Sequence, residues 1–101
     1  MLWKKALKRL QKYCPLPLYL DLRFVPGSSD RTGYLAECSL PRGRQKKFVI
    51  VIDSDQSDEM IEYLLIHEWA HALSWGQEAH GPYWGLEFAR CYRVVVEKAT
   101  H

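Results

Sequence analysis

Met60-Ile61-Glu62-Tyr63-Leu64-Leu65-Ile66-His67-Glu68-Trp69-Ala70-His71-Ala72-Leu73-Ser74-Trp75 runs without a helix breaker, and the rest of the chain is arranged around it. Ile61, Leu64, Leu65, Ala72 and Trp75 recur at helical spacing and predict the buried stripe of a helix from Met60 to about Trp75. Asp55 or Ser57 is the expected N-cap, Asp58 and Glu59 suit the positive end of the dipole, and Gly76 is the expected stop. His67 and His71, at i and i+4, lie one above the other on a single face of such a helix, so both imidazoles reach one metal ion. Zinc is the natural occupant, because it takes neutral imidazole nitrogen in tetrahedral geometry and a catalytic site leaves its fourth position to water. Glu68, one residue past the first ligand, stands where it can take a proton from that water. This division of labour belongs to a metallohydrolase.

A third ligand is expected just past the helix. His80 lies in the short loop Gln77 to Gly81, Glu78 shares that loop, and Glu87 sits on the helix that Pro82 begins. All three have the chemistry to complete the site. Three of the chain's four histidines fall in this cluster, and without a metal a half-buried face would carry His67, Glu68 and His71 at an uncompensated desolvation cost.

The other elements follow from pattern. Leu2, Trp3, Ala6, Leu10 and Tyr13 predict an amphipathic helix over about 2–13, ended by Cys14-Pro15-Leu16-Pro17. Leu18, Leu20, Leu22 and Phe24 alternate with Tyr19, Asp21, Arg23 and Val25 as in a half-buried strand, and Pro26 to Asp30 is turn chemistry. Gly33 to Leu40 is a weaker second strand. Phe48 to Ile52 is apolar on both faces and should sit inside the sheet. Trp84, Phe88, Cys91, Tyr92 and Val95 supply the packing face of a last helix ending near Lys98. The order helix, three strands, helix, helix predicts an α+β fold with a three-stranded, mainly antiparallel sheet, an N-terminal helix, a site-bearing helix and a C-terminal helix.

Composition excludes several classes. A chain of 101 residues with 48% apolar content is one domain with one core, which argues against a disordered tail. No apolar run is long enough to span a membrane. Lys8, Arg9 and Lys12 interrupt what would be the apolar part of a signal peptide, so an intracellular address is expected, cytoplasmic or nucleoid-associated. Cys14, Cys38 and Cys91 are odd in number and widely spaced, which predicts buried free thiols.

The net charge of +2 conceals an asymmetry. Residues 1–47 hold eleven Lys and Arg against three acids, and residues 48–101 hold three bases against nine acids. Such a split suggests a polyanion, DNA included, meeting Lys4, Lys5, Lys8, Arg9, Lys12, Arg42, Arg44, Lys46 and Lys47. The plain alternative is that these side chains solvate a helix and a loop.

His67-Glu68-Trp69-Ala70-His71-Ala72-Leu73 and then His80-Gly81-Pro82-Tyr83-Trp84 resemble the active-site segment of SprT-like zinc metallopeptidases, the group that includes the Spartan proteases. Arg31-Thr32-Gly33-Tyr34-Leu35-Ala36 is loosely similar to the strand motif that precedes the family's catalytic helix. The resemblance implies a zincin-like core over 1–101 with zinc held by His67, His71 and His80, and a departure from it is expected in that the cysteine-rich zinc ribbon of many members is not found here, which makes this a minimal form. It also implies Glu68 as the general base of peptide hydrolysis. The spacing to His80 differs from the metzincin pattern. Tyr83 is the first choice for a hydrogen bond to the oxyanion, against a purely structural role. The sheet edge near Gly33 to Leu40 could take an extended peptide by strand addition. Two other functions stay open: a zinc-stabilised nucleic-acid-binding module, and a peptidase-like adaptor or regulator.

Overall fold

The computed structural model describes residues 1–75 and 80–97. Helix α1 (Leu2–Tyr13) leads into strand β1 (Tyr19–Phe24), a short helix α2 (Ser28–Thr32), and strands β2 (Ala36–Ser39) and β3 (Lys47–Ile52). Helix α3 (Asp58–Leu73) and helix α4 (Pro82–Tyr92) follow, and α4 widens into a π-helical turn over Arg93–Glu97. The result is an α+β fold.

The expectation of a mainly antiparallel sheet is corrected. The strand order is β1-β3-β2, with β1 and β3 parallel and β2 and β3 antiparallel, so the sheet is mixed. The physical reason lies in β3. Phe48, Ile50 and Ile52 are fully buried, and the most apolar strand gains most from pairing on both edges, so β3 inserts between its predecessors. The chain reaches it by way of β2 on the far side, which leaves β1 running in the same direction as β3.

Two hydrogen bonds tie α1 to α3. Trp69, 1% exposed, donates its indole N–H to the Cys14 carbonyl at 2.8 Å and so ties the end of α1 to the C-terminal half of α3. The Asp58 carboxylate accepts the Leu2 N–H at 3.1 Å, satisfying a first-turn donor that Met1 does not cap. Ala6, Leu10, Ile50, Ile52, Leu65, Ile66 and Val95 fill the space between, with Leu20, Leu22 and Phe24 packed against them.

Several boundaries differ from expectation. Residues read as a turn coil into α2 because the buried Asp53 carboxylate gathers the N–H groups of Gly27, Ser29 and Asp55, at 3.1, 3.1 and 2.9 Å, and the Ser29 hydroxyl. Gly27 takes φ 69° there, a left-handed conformation that favours glycine. Ser57, not Asp55, caps α3, its hydroxyl accepting the Met60 N–H at 3.1 Å. Helix α3 ends at Leu73, and Trp75, expected in the buried stripe, is 44% exposed. Tyr92, expected on the packing face of α4, is exposed, and Cys38 is half-buried while Cys14 and Cys91 are buried. Gly76, Glu78 and the helix end near Lys98 lie outside the described residues.

Among the described residues no helix is long and apolar enough to cross a membrane.

Candidate metal centre

Helix α3 sets the first two candidate ligands. Its apolar residues bury one side of the helix, which leaves His67 and His71 half-buried at the margin of the core, one turn apart. His80 comes from the segment after the helix. Its φ of 56° is a left-handed conformation uncommon outside glycine, and holding it costs on the order of 1 kcal/mol or more. Gly81 then caps α4, and Pro82 occupies its first turn, where the missing N–H costs nothing.

These elements converge on a small triangle. The Nε2 atoms of His67 and His71 are 3.3 Å apart, those of His71 and His80 3.1 Å, and those of His67 and His80 3.3 Å. Hydrogen bonding alone cannot satisfy such a triangle. Each neutral Nε2 carries either a proton or a lone pair, so among three atoms at least two are alike and at least one close pair is mismatched. A tetrahedral ion bonded to imidazole nitrogen at roughly 2.0–2.1 Å spaces its ligands by about 3.3–3.4 Å, so the three histidines fit a metal ion closely. Glu87 is not part of the group. Its carboxylate accepts from Arg90 at 2.7 Å instead, so among the described residues it is His80 that groups with His67 and His71 closely enough to hold a metal ion.

Trp84 organises the three rings. Its indole lies 5.0, 5.5 and 4.8 Å from the His67, His71 and His80 rings, stacks on Phe88 at 5.1 Å, and directs its N–H to the His67 carbonyl at 3.4 Å. Tyr63 and Phe88 also lie against His67, their ring centroids 5.9 and 6.3 Å from it. The sequence motif contains Trp84, but periodicity marks it only as a packing residue.

The electrostatics favour ligation. Burial, followed by the neighbouring imidazoles, lowers His71 to about 4, and burial followed by His80 lowers His67. Both rings are therefore neutral at physiological pH, the form that binds metal. Glu68 is 5% exposed, and among the described residues its Oε2 has no hydrogen-bond partner. Burial, and after it the charge of Glu37, pushes this carboxyl up to about 7. A nearby dication would act in the opposite direction. Such an unpaired oxygen is costly to bury and well suited to receive a proton.

Beside the triangle lies a cavity of about 370 Å³, lined by Tyr34, Glu37, Glu68, His71 and Trp75 among others. Its wall is the free side of β2. Tyr83, the expected oxyanion partner, stands 61% exposed on the first turn of α4, whereas the phenol on the cavity wall is Tyr34. In the sequence Tyr34 stands out only as part of a strand motif. Its position follows from the left-handed Gly33 and from Thr32, whose hydroxyl accepts the Tyr34 N–H at 3.1 Å.

The basic residues divide. Lys4, Lys5, Lys8, Lys12, Arg42, Arg44 and Lys46 are exposed. Arg9 donates to the Val95 carbonyl at 3.0 Å, and Lys47 pairs with Asp21 at 3.4 Å, so both also serve the fold.

Comparison with protein-family models, with curated proteins and with solved structures finds no match for this chain.

Proposed function

We propose that this chain is a zinc-dependent metallopeptidase of the SprT-like kind, hydrolysing peptide bonds of protein substrates. The observation that carries the reading is the Nε2 triangle of His67, His71 and His80, beside a cavity lined by His71 and by the buried Glu68, whose Oε2 has no hydrogen-bond partner among the described residues. A zinc ion held by these nitrogens supplies Lewis acidity, polarising a peptide carbonyl and making water acidic enough to ionise near neutral pH.

The chain's own residues do the rest. Glu68 accepts the proton of the attacking water and returns it to the leaving amine. Tyr83, or Tyr34 from the cavity wall, donates a hydrogen bond to the carbonyl oxygen as charge develops there. An extended substrate lies along the free edge of β2, where backbone hydrogen bonds bring affinity with little dependence on sequence. Trp84 keeps the three imidazoles oriented. The exposed lysines of α1 and the loop arginines support contact with DNA or another polyanion, and an intracellular setting fits this reading.

Metal analysis paired with a protein-cleavage assay tests it, for parent and Glu68→Gln, with and without single-stranded DNA. The expected outcome is one zinc per chain in both proteins, with cleavage by the parent and a loss of roughly 10²- to 10⁴-fold in the variant. Zinc binding without cleavage in either protein would favour the non-catalytic alternative, a zinc-stabilised nucleic-acid-binding or adaptor module. Equal cleavage by both would remove Glu68 from the chemistry.

A further inference from the structure

The edge strand that borders the cavity carries an acid with no ion pair among the described residues. In β2, Ala36 and Cys38 pack against the core, while Glu37 and Ser39 are exposed on the opposite face. Glu37 pairs in register with Val51 of β3, and Val51 pairs with Arg23 of β1, so the row across the sheet reads Arg23, Val51, Glu37. Strands lie about 4.8 Å apart, which places Arg23 two spacings away from Glu37. Arg23 is also occupied, since its guanidinium holds Asp21 at 2.7 Å. Among the described residues Glu37 has no ion pair, and it lines the same cavity as Glu68 and His71.

A peptide added to the free edge of β2 would extend that row by one residue. Its side chain on the outer face would stand beside Glu37 at the 4.5–5.5 Å Cβ separation typical of directly opposed residues, roughly, and a cation there meets an unshared carboxylate. A carboxylate in the same place would face like charge. We infer that Glu37 selects substrates carrying lysine or arginine at the one position that pairs beside it. The inference rests on the peptidase reading and adds a substrate class to it. Backbone pairing alone would leave the enzyme indifferent to side chains, and Glu37 supplies a charge rule at a fixed distance from the scissile bond. Because the pair is exposed, its contribution is modest and falls as salt rises.

The test uses the zinc-loaded full chain and a mixture of unstructured synthetic peptides of known sequence, with the residues around each cut counted. For the parent, lysine and arginine should be enriched at a single position. Glu37→Gln should remove that enrichment, and Glu37→Lys should replace it with aspartate and glutamate. In a matched pair of peptides differing only by lysine or norleucine there, the parent should favour lysine in kcat/KM by roughly 1.5- to 5-fold, the size of an opposite-charge cross-strand pair. Binding of the same two labelled peptides to Glu68→Gln should show the same preference without turnover, shrinking at high salt. Cleavage with no positional charge bias, or a bias that survives Glu37→Gln, overturns this inference and leaves the peptidase reading intact. A parent that holds zinc and cuts no peptide overturns both.

Discussion

The Nε2 atoms of His71 and His80 lie 3.1 Å apart, although one belongs to a helix inside the fold and the other to an exposed residue in a left-handed conformation after it. With His67 at 3.3 Å from each, the two form a set that protons cannot satisfy pairwise and that one cation satisfies at once. A metal bond to Nε2 would offset the cost of the left-handed backbone at His80.

The first prediction separates ligand from neighbour. His80→Ala should lower metal affinity by more than tenfold, while Glu87→Ala, which loses only an exposed pair with Arg90, should keep it. At zinc a hundred times its dissociation constant, binding stabilises the parent by about 2.7 kcal/mol, a Tm rise on the order of 10 °C for a domain of this size. Thermal melts with and without zinc should show that rise for parent and Glu87→Ala. In His80→Ala at the same zinc concentration it should be much smaller, and equal shifts in all three would remove His80 from the ligand set.

Much of this site was legible from residue spacing, and the limits of that reading have physical causes. The i and i+4 pair is a local property of one helix, so His67, Glu68 and His71 could be placed without knowing the fold. His80 required the chain to turn back through a left-handed residue, which spacing permits but does not require. The parallel pairing of β1 with β3 was not legible, because strand order depends on long-range burial of Phe48, Ile50 and Ile52 rather than on any local pattern. Helix α2 was hidden for a related reason. The carboxylate that nucleates it, Asp53, lies more than twenty residues away in sequence.

A second prediction concerns the phenols. Tyr34→Phe and Tyr83→Phe each leave zinc binding intact, and the residue that stabilises the oxyanion reveals itself by a fall in kcat of about 10²-fold with little change in KM. The cavity wall favours Tyr34 for that fall. If Tyr83→Phe shows it and Tyr34→Phe does not, Tyr83 is the oxyanion donor.

Acid stability makes a third. Hydrogen bonds, that from the Ser29 hydroxyl foremost, hold Asp53 down at about 2, below the roughly 3.9 of an aspartate in an unfolded chain. Its contribution is therefore fully present above pH ~4 and is lost as pH falls toward the folded value. Asp53→Asn should melt lower than the parent at neutral pH, and the gap should close between about pH 4 and pH 2. A gap unchanged across that window would show that the charge of Asp53 is not what organises the Gly27 to Ser29 turn.

The metal-clasping triangle is the claim on which the rest depends, and zinc-edge X-ray absorption of the protein loaded with one equivalent of zinc examines it most directly. The account predicts a four-coordinate ion with nitrogen and oxygen neighbours near 2.0–2.1 Å, roughly, and an outer-shell signature of three imidazole rings that falls to two in His80→Ala. Sulfur at about 2.3 Å would implicate Cys38 or another thiol, and a hydrated ion with no imidazole signature would mean that His67, His71 and His80 do not share a metal.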